Sequence, residues 1–280
     1  HSNERIVWNE FPEPMKDRFP LGTDGKNWIM HGWDPPIFER SGTAILGDLG
    51  KGRPNGINYF IACAFGRKTL CFCLDGKPAS GVGFRNLRDL KYVHIAENYE
   101  MIIKSVKWIR KIFDQRIKDQ SKQIRKIDFP FILIICDEEV SQTFLPGVYI
   151  KEKERKIYDW APIHRDLIEI LQNGNGVSMH ILAAIEPSNT WLNIENQNRP
   201  YFTEIDFYYS LPRETDEGTT IWVRPHDNPF LDVFSIRAGL GRIIGKMPFI
   251  PENDLRLWIM KKSEDAGDAV NELWLQTVIR

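Results

Sequence analysis

A chain of 280 residues, 42% hydrophobic and 27% charged, has the size and composition of one large α/β domain, or at most two smaller ones. Its 37 Lys and Arg against 38 Asp and Glu leave a net charge of −1, so no global basic footprint marks it as a nucleic-acid binder. No apolar run approaches the ~18 residues of a membrane span and no secretory leader is read at the start. Cys63, Cys71, Cys73 and Cys136 lack zinc spacing with histidine and read as buried, reduced thiols.

In chain order, residues 1–40 carry Trp8, Trp28, Trp33 and Pro35-Pro36, and read as a strand and turn segment packing on the core. Thr43 to Leu46 is a short apolar strand that runs into a glycine cluster, and Asn55 to Phe65 is the helix after it. Thr69 to Leu74 is apolar throughout and ends in Asp75, as a strand buried on both faces does. Tyr92 to Ala96 is a further strand. From Glu97 to about Gln120, Met101, Ile102, Val106, Ile109, Ile112, Phe113 and Ile117 recur at spacings of three and four, which predicts a long amphipathic helix. Its basic side, Lys104 through Lys126, reads as a solvated surface.

Phe129 to Cys136 is the most apolar strand and ends in Asp137-Glu138, followed by an irregular charged insertion at 141–160. Ile163 to Gln172 is a helix stopped by Asn173-Gly174-Asn175-Gly176, and strands follow at Ser178 to Ile185 and Thr203 to Ser210. Strand and helix in alternation predict an α/β fold, a mostly parallel sheet flanked by helices on both faces.

The chemistry concentrates at two strand ends. Gly47-Asp48-Leu49-Gly50-Lys51-Gly52-Arg53-Pro54 keeps the glycines of a phosphate-binding loop, whose backbone N–H groups cradle phosphates at the start of a helix. Arg53 stands where that pattern has Lys, and Pro54 where it has the Ser or Thr that holds Mg²⁺. Asp137 and Glu138, at the end of a second buried strand, fit the acids that hold the metal's hydration shell and polarise the attacking water.

In this order the motifs resemble those of FtsK/SpoIIIE-type motor domains. Leu46 to Pro54 matches the family's glycine loop. Phe72-Cys73-Leu74-Asp75-Gly76-Lys77-Pro78 matches its next strand, and Ile134-Ile135-Cys136-Asp137-Glu138 its metal strand. Asp166 to Leu171 and then Gly176 to Ala184 match the helix, glycine turn and strand that lead to its sensor, and Phe19-Pro20-Leu21-Gly22-Thr23-Asp24 is similar to the family's opening P-x-G-x-D. The resemblance implies a RecA/FtsK-like P-loop NTPase fold, with one degenerate ATPase domain over residues 41–280.

The departures are as specific. Arg53 is a bulky fork in place of a compact ammonium, Pro54 removes a hydroxyl and an N–H, and Ala184-Ile185-Glu186-Pro187-Ser188 lacks the sensor's Gln-Arg pair. Such domains are found late in the tandem EssC/EccC-type ATPases of type VII secretion. The resemblance then implies a pseudo-ATPase on the cytoplasmic side of a bacterial membrane-anchored motor. No cofactor is expected to bind tightly, with ATP·Mg²⁺ at most weak and Asp137 and Glu138 vestigial or serving as a helix cap. The implied partners are WXG100-like or other helical-hairpin secreted substrates with their C-terminal signals, neighbouring ATPase domains of the same chain, and further copies in a ring; DNA is not among them. Trp191, Trp222, Trp258 and Trp274 are the aromatics such a docking role would use if they were exposed. The alternatives are a slow, assembly-dependent ATPase, in which Lys51 and Arg53 share the lysine's task and Arg199, Arg213 or Arg224 serves a neighbour, or a DNA translocase or conjugation coupling protein.

Overall fold

Continuous apolar runs that end in acids or glycines can only be buried by strands on both sides and helices above and below, and the chain is built accordingly. The computed structural model describes residues 18–23, 28–32, 40–47, 52–67, 69–77, 84–145, 160–185, 191, 197–207, 211–214, 220–223, 233–238, 241–264 and 267–278. The strands are β1 (Arg18–Thr23), β2 (Trp28–Gly32), β3 (Gly42–Leu46), β4 (Thr69–Leu74), β5 (Val93–Ala96), β6 (Phe131–Cys136), β7 (Met179–Ile185), β8 (Phe202–Asp206), β9 (Leu211–Glu214), β10 (Thr220–Val223), β11 (Val233–Ala238) and β12 (Gly241–Lys246). The helices are α1 (Arg53–Phe65), α2 (Tyr99–Gln120), α3 (Glu138–Ser141), α4 (Ala161–Asn173), α5 (Glu252–Glu264) and α6 (Asp268–Val278).

One ten-stranded sheet runs in the order β2-β1-β12-β11-β8-β3-β7-β6-β4-β5. The six strands from β8 to β5 are parallel, and β11, β12, β1 and β2 extend them antiparallel. β9 and β10 form a separate hairpin. The connection from β3 to β4 moves toward β5, whereas β5 to β6 and β6 to β7 move the opposite way. Right-handed crossovers therefore place α1 on one face and α2 with α4 on the other. α1 packs with α5, and α2 packs with α4. Every residue of β3, β4, β6 and β7 is buried.

The expected parallel α/β core is present, with small shifts at its ends. α1 begins at Arg53, two residues before the expected start, because Pro54 at its first turn loses no helical hydrogen bond. α4 does stop at Asn173, and a 3-10 turn over Gly174–Val177 carries the chain to β7. Tyr208 to Ser210, the end of the strand expected there, lie outside the described residues. The antiparallel extension was not foreseen. Through Thr23 opposite Lys246 it joins residues 18–32 to the C-terminal part of the sheet. Among the described residues, no helix is long and apolar enough to cross a membrane.

Candidate functional site

β7 lies between β3 and β6, so the glycine strand and the acidic strand end on the same edge, two strand spacings or roughly 10 Å apart. Gly47 is buried at the end of β3. Gly52 has φ 105°, a left-handed conformation that suits glycine, and turns the chain into α1. Asp48, Leu49, Gly50 and Lys51, the middle of the expected loop, lie outside the described residues.

Arg53, in the lysine position, is buried, its side chain 4% exposed. Its Nη1 donates to the carbonyl of Gly47 at 3.0 Å, and its Nη2 is ion-paired with Glu138. The guanidinium therefore lies across the edge, tying the end of β3 to the first residue of α3, just past β6. Pro54 beside it is exposed and offers neither hydroxyl nor N–H. Asn55 is buried and turns the other way: its Nδ2 donates to the Pro248 carbonyl at 2.7 Å and its Oδ1 accepts from the Ile250 N–H at 2.9 Å. The first turn of α1 is thus fastened to the segment between β12 and α5.

Phe207, fully buried after β8, backs the loop. A Cβ at Gly47 would stand 3.0 Å from the Cβ of Phe207, and one at Gly56 would stand 2.7 Å from its ring. Gly47 is therefore a packing glycine as well as a loop glycine, and Gly56, inside α1, is a packing glycine. Neither Phe207 nor Asn55 carried a sequence signal for the site; the motif pattern is blind to what packs behind it.

Asp137 caps α3, its Oδ1 accepting from the Val140 N–H at 2.8 Å and its Oδ2 from the Lys77 N–H at 3.0 Å. Both oxygens are thus engaged by backbone donors of the neighbouring turns. Burial pushes the Asp137 carboxyl up to about 7, with the charges of Asp75 and Glu139 adding to the rise and the two backbone donors opposing it. Asp75, at the end of β4, is 1% exposed, and its Oδ2 has no hydrogen-bond partner among the described residues. Burial raises its carboxyl too, and the Asp137 carboxyl is among the groups that hydrogen-bond to it. Lys77 closes the turn with an ion pair to buried Glu139 at 2.7 Å.

The structure therefore brings Gly47, Gly52, Arg53, Pro54, Asp137 and Glu138 to one edge. Among the aromatics, Trp191 is fully buried, which removes it as a docking surface. Trp258 and Trp274 pack partly buried against the core, Trp258 donating its Nε1 hydrogen to the Ala62 carbonyl at 2.8 Å. Arg199 is ion-paired with Glu204 of its own chain. The side chains of Trp222 and Arg213, and all of Arg224 and Glu186 to Ser188, lie outside the described residues.

No family model and no curated protein sequence matches the chain. Solved structures do. A structure of EssC, ATPases 2 and 3, from Geobacillus thermodenitrificans superposes with a TM-score of 0.62 at 13% identity, covering 97% of this chain and 52% of that one. Thermomonospora curvata EccC, ATPases 2 and 3 in complex with a signal sequence peptide, superposes with a TM-score of 0.61 at 12% identity over 90% of this chain and 44% of that one. The pCW3 conjugation coupling protein TcpA, a monomer with ATPγS, gives a TM-score of 0.66 at 10% identity over 93% and 74%. The chain has the FtsK/SpoIIIE-type ATPase fold. It spans about half the length of the two secretion-ATPase structures. At this edge of the fold Gly47, Gly52, Asp137 and Glu138 stand together, with the Arg53 guanidinium held by the Gly47 carbonyl and Glu138 and with Pro54 beside it.

Proposed function

We propose that this domain is a pseudo-ATPase of a type VII-like secretion motor, one that docks protein partners instead of turning over ATP. The observation that carries the reading is Arg53. Its guanidinium is spent on the Gly47 carbonyl and on Glu138, the two groups that would have to release it before a phosphate or an attacking water could use either. Mg²⁺·ATP fits the remaining residues poorly. Pro54 supplies no hydroxyl for the metal, and the Asp137 oxygens already accept from Val140 and Lys77. A P-loop catalyses by positioning and electrostatic stabilisation, so loss of the ammonium and the hydroxyl together removes most of what it contributes.

The docking half of the reading is supported by the neighbours of this fold. One of the secretion structures holds a signal sequence peptide, and both are tandem ATPases, so adjacent domains of a longer chain and secreted WXG100-like substrates are the partners proposed here. A ring of copies and a cytoplasmic position beneath a membrane anchor belong to the same proposal. Calorimetry with Mg²⁺·ATP tests its nucleotide half. The expected result is no micromolar binding and no phosphate release; micromolar affinity with measurable turnover would overturn it. Arg53→Lys combined with Pro54→Ser, by returning the ammonium and hydroxyl, is expected to raise nucleotide affinity above that of the native chain.

A further inference from the structure

A pocket lies away from the glycine loop, where α2 packs by the edge strand β5. A half-open pocket of about 550 Å³ is lined there by Phe72, His94, Met101, Ile103, Ser105 and Trp108, with Lys104, Lys107 and Lys111 also on its wall. Its floor is apolar and aromatic: the Phe72 ring meets Trp108 at a centroid distance of 5.3 Å and His94 at 5.4 Å, tilted to both. His94 hydrogen-bonds Ser105 at 2.9 Å, and burial lowers its imidazole, so it adds no charge near neutral pH. The charge on this wall is therefore that of the lysines, and among the described residues no acidic side chain lines it.

The three lysines differ. Lys107 is held by Asp166 of α4 at 2.6 Å. Lys104 and Lys111, both exposed, have no ion-pair partner among the described residues. They stand seven residues apart on one side of α2, roughly 10 Å along its axis. An apolar pocket of this volume with convergent cations on one wall has the character of a recognition site rather than of an ordinary solvated surface. Lys104, Lys107 and Lys111, part of the basic side Lys104 through Lys126 that reads as a solvated surface, are exposed as expected and also line that pocket.

We infer that this pocket receives a peptide segment of a partner protein that inserts an apolar side chain toward Phe72 and Trp108 and sets two carboxylates on Lys104 and Lys111. The inference rests on the docking half of the proposed function and adds its place and its chemistry. Matching charge at roughly 10 Å asks for acids seven residues apart on a helix, or three apart on an extended strand, with aliphatic or aromatic residues between them. Complementary charge of this kind governs encounter and register, while the inserted side chain supplies most of the affinity.

The test uses fluorescence anisotropy with a fluorescein-labelled helical peptide that carries two Glu seven residues apart and Leu and Phe on the face between them. Binding is expected to weaken about tenfold or more in Lys104→Glu with Lys111→Glu, and to weaken with added salt. A peptide with Lys in place of the two Glu is expected to regain affinity for that variant, and circular dichroism reports whether the variant stays folded. Equal binding by native and reversed proteins overturns the assignment, as does preferential binding of a free amphiphile such as dodecanoate that the peptide fails to displace. The Mg²⁺·ATP titration is read separately. Turnover with intact peptide binding sinks the pseudo-ATPase reading and leaves the pocket standing; nucleotide silence with no peptide binding does the reverse.

Discussion

Two cationic regions of this fold behave in opposite ways. At the loop edge a single buried guanidinium, Arg53, is consumed by its own chain, through the Gly47 carbonyl and Glu138. On α2, Lys104 and Lys111 stand exposed beside an apolar pocket with no acid on its wall among the described residues. The positive charge at the glycine edge is thus the less available one. The difference teaches that charge is informative only together with its partner: a closed ion pair stabilises the chain, whereas an open one can recognise something else.

The comparison breaks most sharply if Arg53 can be removed cheaply. Arg53→Ala leaves Glu138 without its cation at the protein edge and the Gly47 carbonyl without its donor, so about 3–5 kcal/mol of stability should be lost, read as a drop in denaturation midpoint. Arg53→Ala with Glu138→Ala should cost less than the sum of the two single changes. Additivity of the two would mean that the pair carries no coupling.

The acidic half of the same edge sharpens the comparison through pH. The Asp137 carboxyl, at about 7 in the fold against roughly 3.9 unfolded, binds its proton more tightly when folded. Its contribution to stability is therefore complete below about pH 4 and is lost as pH rises through 7, flattening above. Because the Asp137–Asp75 interaction is shared, the change amounts to roughly 2–4 kcal/mol across that window. Asp137→Asn should lose the slope, along with the hydrogen bond from the Lys77 N–H, where the amide would present a donor to a donor. A midpoint that climbs between pH 5 and 7 in the native chain alone would contradict the assignment.

Asn55 ranks next. Asn55→Ala would leave the Pro248 carbonyl and the Ile250 N–H buried without their partner, at about 1–3 kcal/mol. Hydrogen exchange at Ile250 should accelerate in step with that loss. If stability fell with exchange at Ile250 unchanged, the effect would have to come from α1 itself.

What could be read beforehand follows from the range of the interactions. β4, β6 and β7 are visible because burial on both faces writes itself into the apolar runs Leu70–Leu74, Phe131–Cys136 and Ile181–Ile185. β11 and β12 are not, because their place depends on pairing with β8 and with Thr23, contacts the local pattern does not encode. The same holds at the site. Gly47, Gly52, Asp137 and Glu138 are legible as motif positions, and the replacements at Arg53 and Pro54 are legible as departures. That Arg53 closes on Glu138, that Asn55 reaches Pro248 and that Phe207 fills the space behind Gly56 are three-dimensional facts with no spacing rule behind them. The lysine spacing on α2 was visible, but the pocket was not, since its floor comes from Phe72 of β4 and His94 of β5.

The smallest effects separate the open lysines from the held one. Lys107→Ala removes an exposed ion pair with Asp166, whose worth in water is about 0.2–1 kcal/mol and falls with salt. Lys104→Ala and Lys111→Ala touch no ion pair among the described residues, so each should lie within about 0.5 kcal/mol of the native chain, with little salt dependence. Chemical denaturation at low and high ionic strength measures all three. A loss at Lys104 or Lys111 larger than at Lys107 would mean that these cations already support the fold. A near-zero cost at both is the outcome expected of exposed charges that hold no part of the fold, and it leaves them free to meet a partner.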